Sequence, residues 1–256
     1  MPLPGVLPAK FVTRLSVLVT GSGRGIGRSE AIAFAQAGAS KIVLTSRSTG
    51  ELEEVKKTID ALGKGTEVVI VQADATDETS VDDLFEKAGE VDVLINDAGA
   101  LEPVKLIRDS NPAVWNKTNT INTYGTYLAT RAFLRAVHAK GLVNGSSKKL
   151  TVINTSSIGS VGTRPGFSAY QPGKRQINRF TEFLYFEEPA VRTFAIHLGG
   201  PLTSPARFRC RIAERQRSVS DAILQDVDEL VLKKDEILAK DLLWTRVVGQ
   251  EQTIPK

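Results

Sequence analysis

The 256-residue chain has one cysteine, Cys210, and two histidines, His138 and His197. A single cysteine excludes an intramolecular disulfide framework and a cysteine-based zinc cluster. With so few histidines no metal site is predicted. The chain also lacks an apolar run of the roughly 18–20 residues that a membrane span needs, so no membrane association is expected. Residues 1–5 show no basic region followed by an apolar core, so no secretory signal is predicted and the expected location is the cytoplasm.

Neither sign of charge dominates, with 33 Lys+Arg against 29 Asp+Glu and a net charge of +4. The charges are interspersed, apart from an arginine-rich segment at 206–217. This balance predicts a solvated surface and no nucleic-acid partner. The least favoured alternative is nucleic-acid binding through that segment, which would show an affinity that falls steeply with salt. A hydrophobic share of 41% excludes a disordered or collagen-like chain.

Short apolar runs alternate with helical stretches along the chain. Strands are predicted at 15–19, 42–44, 68–71, 91–95, 150–153 and 191–196. Helices are predicted at 26–37, 51–62, 80–88, 112–140 and 169–187. Nearly continuous apolar strands are typical of parallel strands covered on both faces. The alternation therefore predicts an α/β fold with a single doubly wound parallel sheet of the Rossmann type.

No linker rich in proline, glycine or serine divides the chain, so residues 1–256 are predicted to form one domain. The pattern weakens after Gly199. Residues 204–256 are expected to hold an irregular arginine-rich segment and a charged helix from about 226 to 243. No seventh strand is evident.

A glycine-rich segment, residues 20–27, lies between the first predicted strand and the first predicted helix. Glycines allow a close approach of the backbone to a ligand. The N-terminus of the helix offers N–H groups and a positive dipole end to a pyrophosphate. We therefore predict a dinucleotide site. Its residues are Gly21, Gly23, Arg24, Gly25, Ile26 and Gly27.

The end of the second strand predicts which dinucleotide binds. Residues 45–48 read Thr-Ser-Arg-Ser, and no acidic residue precedes Glu51 to hold the ribose 2′-hydroxyl of NAD. Arg47 can pair bidentately with a 2′-phosphate, and Arg24 is a second candidate cation. NADP (NADPH) is therefore predicted over NAD.

Further motifs follow the glycine segment in order. They are Asp74 after the third strand, Asn96-Asp97-Ala98-Gly99 at the end of the fourth, Asn122 in the long helix, Ser157 after the fifth strand, and Tyr170 and Lys174 in the next helix. Ser157 precedes Tyr170 by thirteen residues. With Thr-Gly-x3-Gly-x-Gly at 20–27, the chain resembles the short-chain dehydrogenase/reductase family over about residues 14–204. Segments 164–171 and 179–183 and a lysine-rich C-terminal helix resemble fungal-type reductases of secondary metabolism.

This resemblance implies roles for individual residues. The catalytic residues would be Asn122, Ser157, Tyr170 and Lys174. The further cofactor-binding residues would be Asp74, Asn96, Ala98, Gly99, Tyr170, Lys174 and Thr203. The implied activity is interconversion of a ketone and a secondary alcohol on a small or medium apolar substrate. The implied assembly is a homodimer through the helices at 112–140 and after Tyr170, whereas a tetramer would need the seventh strand. Members of this family normally have a substrate lid and a seventh strand after the position of Thr203, and here both are expected to be shortened or absent.

The side chains themselves are suited to this chemistry. Hydride transfer to a carbonyl leaves negative charge on oxygen, which needs a proton donor. Lys174 lies four residues after Tyr170 on the same helix face, so its ammonium, with an oxidised nicotinamide, is expected to lower the phenol's pKa. Ser157 can hydrogen-bond the carbonyl oxygen.

Some residues depart from the family pattern. Gln171-Pro172-Gly173 stands between Tyr170 and Lys174, Asp97 replaces an asparagine, and Leu198 replaces a proline. Pro172 is tolerable only in the first helical turn. These departures leave open an alternative function, an NADP-binding protein without redox activity that serves as a sensor, a scaffold or a non-redox pocket.

Overall fold

A computed structural model describes residues 14–143 and 150–198. Its strands are β1 (Ser16–Thr20), β2 (Lys41–Ser46), β3 (Glu67–Gln72), β4 (Val93–Asn96), β5 (Thr151–Thr155) and β6 (Arg192–Ile196). Its helices are α1 (Gly25–Gln36), α2 (Thr49–Asp60), α3 (Glu78–Ala88), α4 (Pro112–Asn119), α5 (Gly125–Ala139) and α6 (Tyr170–Glu187). Two 3₁₀ turns lie at Ile107–Asp109 and Ile158–Ser160, and a π turn lies at Thr120–Tyr124.

All six strands form one parallel sheet in the order β3-β2-β1-β4-β5-β6. The chain moves outward from β1 to β3, then crosses back to place β4 on the other side of β1. The predicted doubly wound, Rossmann-type sheet is confirmed. In such sheets ligands bind beyond the carboxyl ends of the strands where the order reverses, which here is between β1 and β4.

Alternate residues of each strand pack against opposite layers of helices. Val17 and Val19 of β1 face the layer that contains Phe34 of α1. Leu18 faces the layer that contains Phe133 of α5. Because both faces are covered, the central strands are buried along their length and apolar in their middle positions, as the sequence pattern indicated.

The predicted continuous helix at 112–140 is wrong in one respect, since a π turn interrupts it. The helix begins as predicted, with Asn111 Oδ1 accepting hydrogen bonds from the N–H groups of Ala113 and Val114. Within and just after the π turn, side chains of Asn122 and Thr126 donate to backbone carbonyls four residues earlier. Such side-chain competition for carbonyls distorts a helix locally.

Thr203, the segment 204–256 and the prediction of a shortened or absent lid and seventh strand lie outside the described residues. Among the described helices, none has the length and apolarity to cross a membrane.

Candidate active site

The glycine turn joins β1 to α1 at the point where the strand order reverses. Gly25 has φ +61°, and a Cβ added there would have no atom within 4 Å. A Cβ on Gly27 would lie 2.8 Å from the carbonyl oxygen of Gly21. The backbone of the turn is therefore tightly packed at Gly27, whereas the space next to Gly25 is open. This is a cradle that a side chain would fill and that suits a pyrophosphate.

Two arginines and one carboxylate border this turn. Arg24 precedes α1, Arg47 follows β2, and both are exposed. Glu51 in the first turn of α2 places Oε2 2.9 Å from the position of a Gly23 Cβ. No sequence motif indicates that Glu51 neighbours the turn, because this contact depends on how α2 folds back after β2.

Asp74 follows β3 and is held by Thr76. Its Oδ1 accepts hydrogen bonds from the backbone N–H of Thr76 at 2.9 Å and from the Thr76 hydroxyl at 2.7 Å. These bonds, with a smaller contribution from Arg47, lower the pKa of the Asp74 carboxyl. Asp74 is therefore a fixed anion on the same sheet edge as Arg47.

The last residue of β4 faces the interior, and the residues that follow it lie beside the site. Asn96 is buried, and its Nδ2 donates to Asn154 Oδ1 at 2.8 Å and to Thr130 Oγ1 at 3.0 Å. Its side chain therefore braces β4 against β5 and α5. The N–H of Ala98 donates to Thr20 Oγ1 at 3.0 Å, which holds this segment beside the turn. A Cβ on Gly99 would lie 2.9 Å from Asn122 Oδ1.

Asn122 lies in the π turn and is 1% exposed. Its Nδ2 donates to the carbonyl oxygen of Ala100 at 2.7 Å and to that of Thr118 at 2.8 Å, and its Oδ1 accepts from the N–H of Ala100 at 3.3 Å. Asn122 therefore joins the helix to the loop after β4.

Ser157, Tyr170 and Lys174 meet beyond the carboxyl end of β5. The Ser157 side chain lies close enough to the Tyr170 phenol to stabilise its ionised form. Lys174 Nζ donates to the carbonyl oxygen of Thr155 at 2.6 Å and lies 5.6 Å from the centre of the Tyr170 ring. Lys174 is only 5% exposed. Pro172 lies in the first turn of α6, where proline is tolerated, so the unusual segment 171–173 still forms a helix.

The ionisation of the phenol differs from the expectation. Burial raises the pKa of Tyr170, the hydrogen bond from Ser157 partly offsets this, and Asp97 and Glu102 raise it further. Burial also lowers the pKa of Lys174 to about 8, and the charge of Asp97 partly offsets that effect. The pKa of the phenol is thus raised instead of lowered, because desolvation outweighs the effect of Ser157.

Two carboxyls, the partly buried Asp97 and the fully buried Glu30, lie beneath the glycine turn. Asp97 Oδ2 lies 3.0 Å from the position of a Gly27 Cβ, and Glu30 lies one helical turn after Gly27. Burial raises the pKa of Asp97 to about 6. Burial and the proximity of Asp97 raise the pKa of Glu30 well above its usual range. Within the described residues neither oxygen of Glu30 has a hydrogen-bond partner, so a protonated Glu30 is favoured.

Glu102 is a further residue that sequence reasoning missed. It lies in the loop after β4, and its Oε1 accepts hydrogen bonds from the backbone N–H groups of Ala169 and Tyr170. No local motif signals this contact, because the partners are 67 and 68 residues apart.

The open parallel sheet, the glycine turn at its switch point and the Ser-Tyr-Lys group beside it define an NAD(P)-dependent oxidoreductase of the Rossmann class. The chain belongs to the short chain dehydrogenase family, whose sequence profile matches residues 16–208.

Relatives and solved structures agree with this assignment. The chain is 36% identical to short chain dehydrogenase mpl6 of Monascus purpureus, covering 91% of this chain and 88% of that protein. It is also 36% identical to short chain dehydrogenase tazN of Aspergillus terreus, covering 82% of this chain and 48% of the other. The predicted resemblance to fungal members is confirmed.

Among solved structures, a 3-ketoacyl-(acyl-carrier-protein) reductase from Brucella melitensis complexed with NADH is 28% identical, with a TM-score of 0.64 over 73% of this chain and 75% of that one. An alcohol dehydrogenase from Thermococcus sibiricus complexed with 5-hydroxy-NADP has a TM-score of 0.70 over 83% and 91%, and at 24% identity it shows the shared fold.

Proposed function

We propose that this protein is an NADP-dependent oxidoreductase that interconverts a ketone and a secondary alcohol, with Tyr170 as general acid and base. The observation that carries the proposal is the placement of Ser157, Tyr170 and Lys174 together beside the glycine turn. The residues present fit a dinucleotide, since the space above Gly25 is open and bordered by a helix N-terminus.

Several residues would hold the dinucleotide. The turn at residues 21–27 would bind the pyrophosphate, Arg24 and Arg47 the 2′-phosphate, Asp74 the adenine, and Lys174 the nicotinamide ribose. Thr203 is proposed for the carboxamide and lies outside the described residues. When bound, the dinucleotide supplies or accepts the hydride.

The chain's own side chains orient the substrate and move the proton. The Ser157 hydroxyl hydrogen-bonds the substrate oxygen and places it beside the Tyr170 phenol. In reduction the phenol donates its proton to that oxygen, and in oxidation the phenolate takes it back. The Lys174 ammonium stabilises the phenolate, because the two groups share one helix face. Asn122 holds the loop that borders Lys174 and is proposed as the anchor of the proton relay to solvent.

The preference for NADP rests on Arg47 and Arg24, whose positive charges would attract the 2′-phosphate, whereas the carboxylate of Glu51 would repel it. We test it by titrating the protein with NADPH and NADH and following cofactor fluorescence. Arg47→Asp is expected to weaken NADPH binding, because it replaces a partner of the 2′-phosphate with a like charge. Glu51→Gln changes the local charge in the opposite direction, because it removes a negative charge, and it is expected to strengthen NADPH binding. Equal affinities for both dinucleotides in all three proteins would contradict the assignment.

Turnover is tested on a panel of ketones with Tyr170→Phe as the key variant. This variant keeps the ring and loses the proton, so it is expected to bind NADPH and to reduce no ketone. Binding without turnover in the wild type would instead support the alternative, a dinucleotide-binding protein without redox activity.

Assembly and setting are part of the same proposal. Tyr124, Tyr127 and Phe183 leave an exposed aromatic surface on the π turn, α5 and α6, which supports a homodimer through these helices. Light scattering of the purified protein tests this assembly. A cytoplasmic location and a role in secondary metabolism are further parts of the proposal, supported by the composition and by the resemblance to fungal reductases.

A further inference from the structure

The helix that carries Tyr170 is capped by a residue from a distant loop. Ala169, which precedes α6, makes no capping hydrogen bond with its side chain. Glu102 Oε1 instead accepts from the N–H of Ala169 at 3.0 Å and from the N–H of Tyr170 at 3.1 Å. These two donors belong to the start of the helix and would otherwise lack helical partners.

The loop that carries Glu102 is held on both sides. Before Glu102, Ala100 is bound through its N–H and its carbonyl to the Asn122 side chain. After it, the N–H of Lys105 donates to the carbonyl oxygen of Gly166 at 3.3 Å, which joins the loop to the segment leading into α6. Glu102 is 8% exposed. The contacts of this loop and the burial of the side chain therefore fix the position of the Glu102 carboxylate.

We propose that Glu102 is a positioning residue for Tyr170, which holds the first turn of α6 in place and whose charge disfavours ionisation of the phenol. The inference rests on the proposed function, because it assigns Glu102 to the proton donor of that reaction.

Two observations favour a role for the charge in addition to the cap. The first is that Glu102 Oε2 is buried and, within residues 14–143 and 150–198, has no hydrogen-bond partner. An amide would make the same two bonds through one oxygen, so the cap alone does not require a carboxylate. The second is electrostatic: burial raises the pKa of Tyr170, and the negative charges of Asp97 and Glu102 raise it further, while Ser157 opposes them. Lys174 is the cation that faces the phenol ring from α6 itself.

Three variants separate the cap from the charge. Glu102→Gln keeps an acceptor oxygen and removes the charge, whereas Glu102→Ala removes both. Asp77→Ala is the matched control, because Asp77 caps α3 by accepting from the Ser80 N–H at 2.7 Å, and α3 carries none of the proposed catalytic residues. The thermal midpoint is expected to fall by about 2–4 °C in both alanine variants and to change little in Glu102→Gln.

The ionisation of Tyr170 is measured without turnover. The chain has four tyrosines, so the tyrosinate absorbance of each protein is titrated with pH and compared with the same protein carrying Tyr170→Phe. The difference reports Tyr170 alone. In Glu102→Gln the phenol is expected to ionise at lower pH than in the wild type, because a neighbouring negative charge is gone.

The kinetic readout separates positioning from simple destabilisation. Glu102→Ala is expected to lower kcat for ketone reduction about a hundredfold with little change in NADPH affinity, since misplaced catalytic groups have losses of this size. Glu102→Gln should restore most of this kcat, and Asp77→Ala should leave kcat unchanged.

Two results would overturn the inference. An unchanged Tyr170 titration in Glu102→Gln would remove the role of the charge, and equal kcat values in Glu102→Ala and Asp77→Ala would remove the role in positioning. Failure of the wild type to reduce any ketone would count against the proposed function, whereas the Tyr170 titration would still decide whether Glu102 biases the phenol.

Discussion

An alanine at Gly25 should mainly affect ligand binding, whereas an alanine at Gly27 should affect the packing of the fold. At Gly25 the added methyl group meets no atom within 4 Å, but the backbone has φ +61°. At Gly27 the methyl group would lie 2.8 Å from the Gly21 carbonyl oxygen and 3.0 Å from Asp97 Oδ2. The first change therefore places an obstacle in open space, and the second creates a collision inside the fold.

The magnitudes follow from these contacts. Gly25→Ala should lower the free energy of unfolding by about 1–2 kcal/mol, because a left-handed conformation disfavours a Cβ. If the pyrophosphate occupies the open space, loss of one hydrogen bond to a charged group costs about 1.5–3 kcal/mol, a roughly tenfold to hundredfold loss of affinity. Gly27→Ala should cost about 1–3 kcal/mol of stability through overpacking, offset in part by about 1 kcal/mol of helix propensity.

The assay combines urea unfolding of the free protein with fluorescence titration by NADPH. Gly63→Ala is the matched control for Gly25→Ala, because Gly63 also has a positive φ, +62°, and no atom within 4 Å of an added Cβ, but lies after α2. It should lose similar stability and keep its affinity. If Gly25→Ala binds NADPH as tightly as Gly63→Ala does, the turn does not cradle the pyrophosphate and the site must be placed elsewhere.

Other perturbations test the electrostatics and the core. Burial raises the pKa of Asp97 to about 6, so the folded protein keeps a proton that the unfolded chain has released. The titration of this group should make the stability of the wild type fall by about 3 kcal/mol as the pH rises from about 4 to about 6, beside the contributions of other carboxyls. In Asp97→Asn this fall should be smaller in urea unfolding, and an equal fall would contradict the assignment. Burial lowers the pKa of Lys174 to about 8. NADPH affinity, measured by fluorescence titration, should therefore weaken above that pH, because the ammonium loses its charge. Lys174→Met should bind NADPH weakly and without this pH dependence. Phe133 is fully buried on α5, so Phe133→Ala should lower the free energy of unfolding by about 3–5 kcal/mol in chemical unfolding while NADPH affinity stays unchanged.

The local part of the site was accessible to sequence reasoning. Tyr170 and Lys174 lie four residues apart, so any helix places them on one face, and their predicted proximity follows from the helical repeat alone. The glycine turn likewise depends on consecutive residues. The interruption at Thr120–Tyr124 was not predicted, because it depends on the Asn122 amide finding the carbonyl of Ala100 in a loop 22 residues earlier.

The sequence by itself determined the alternation of strands and helices, the doubly wound parallel sheet, the glycine-rich turn and the family, because apolar periodicity and short-range motifs encode these features. Only the tertiary structure decided which carboxylates surround the site. Glu102 reaches the first turn of α6 from 68 residues away, and the nearby charge of Asp97 raises the pKa of Glu30. The charge that a phenol or an ammonium carries depends on burial and on neighbours in space, and linear spacing records neither.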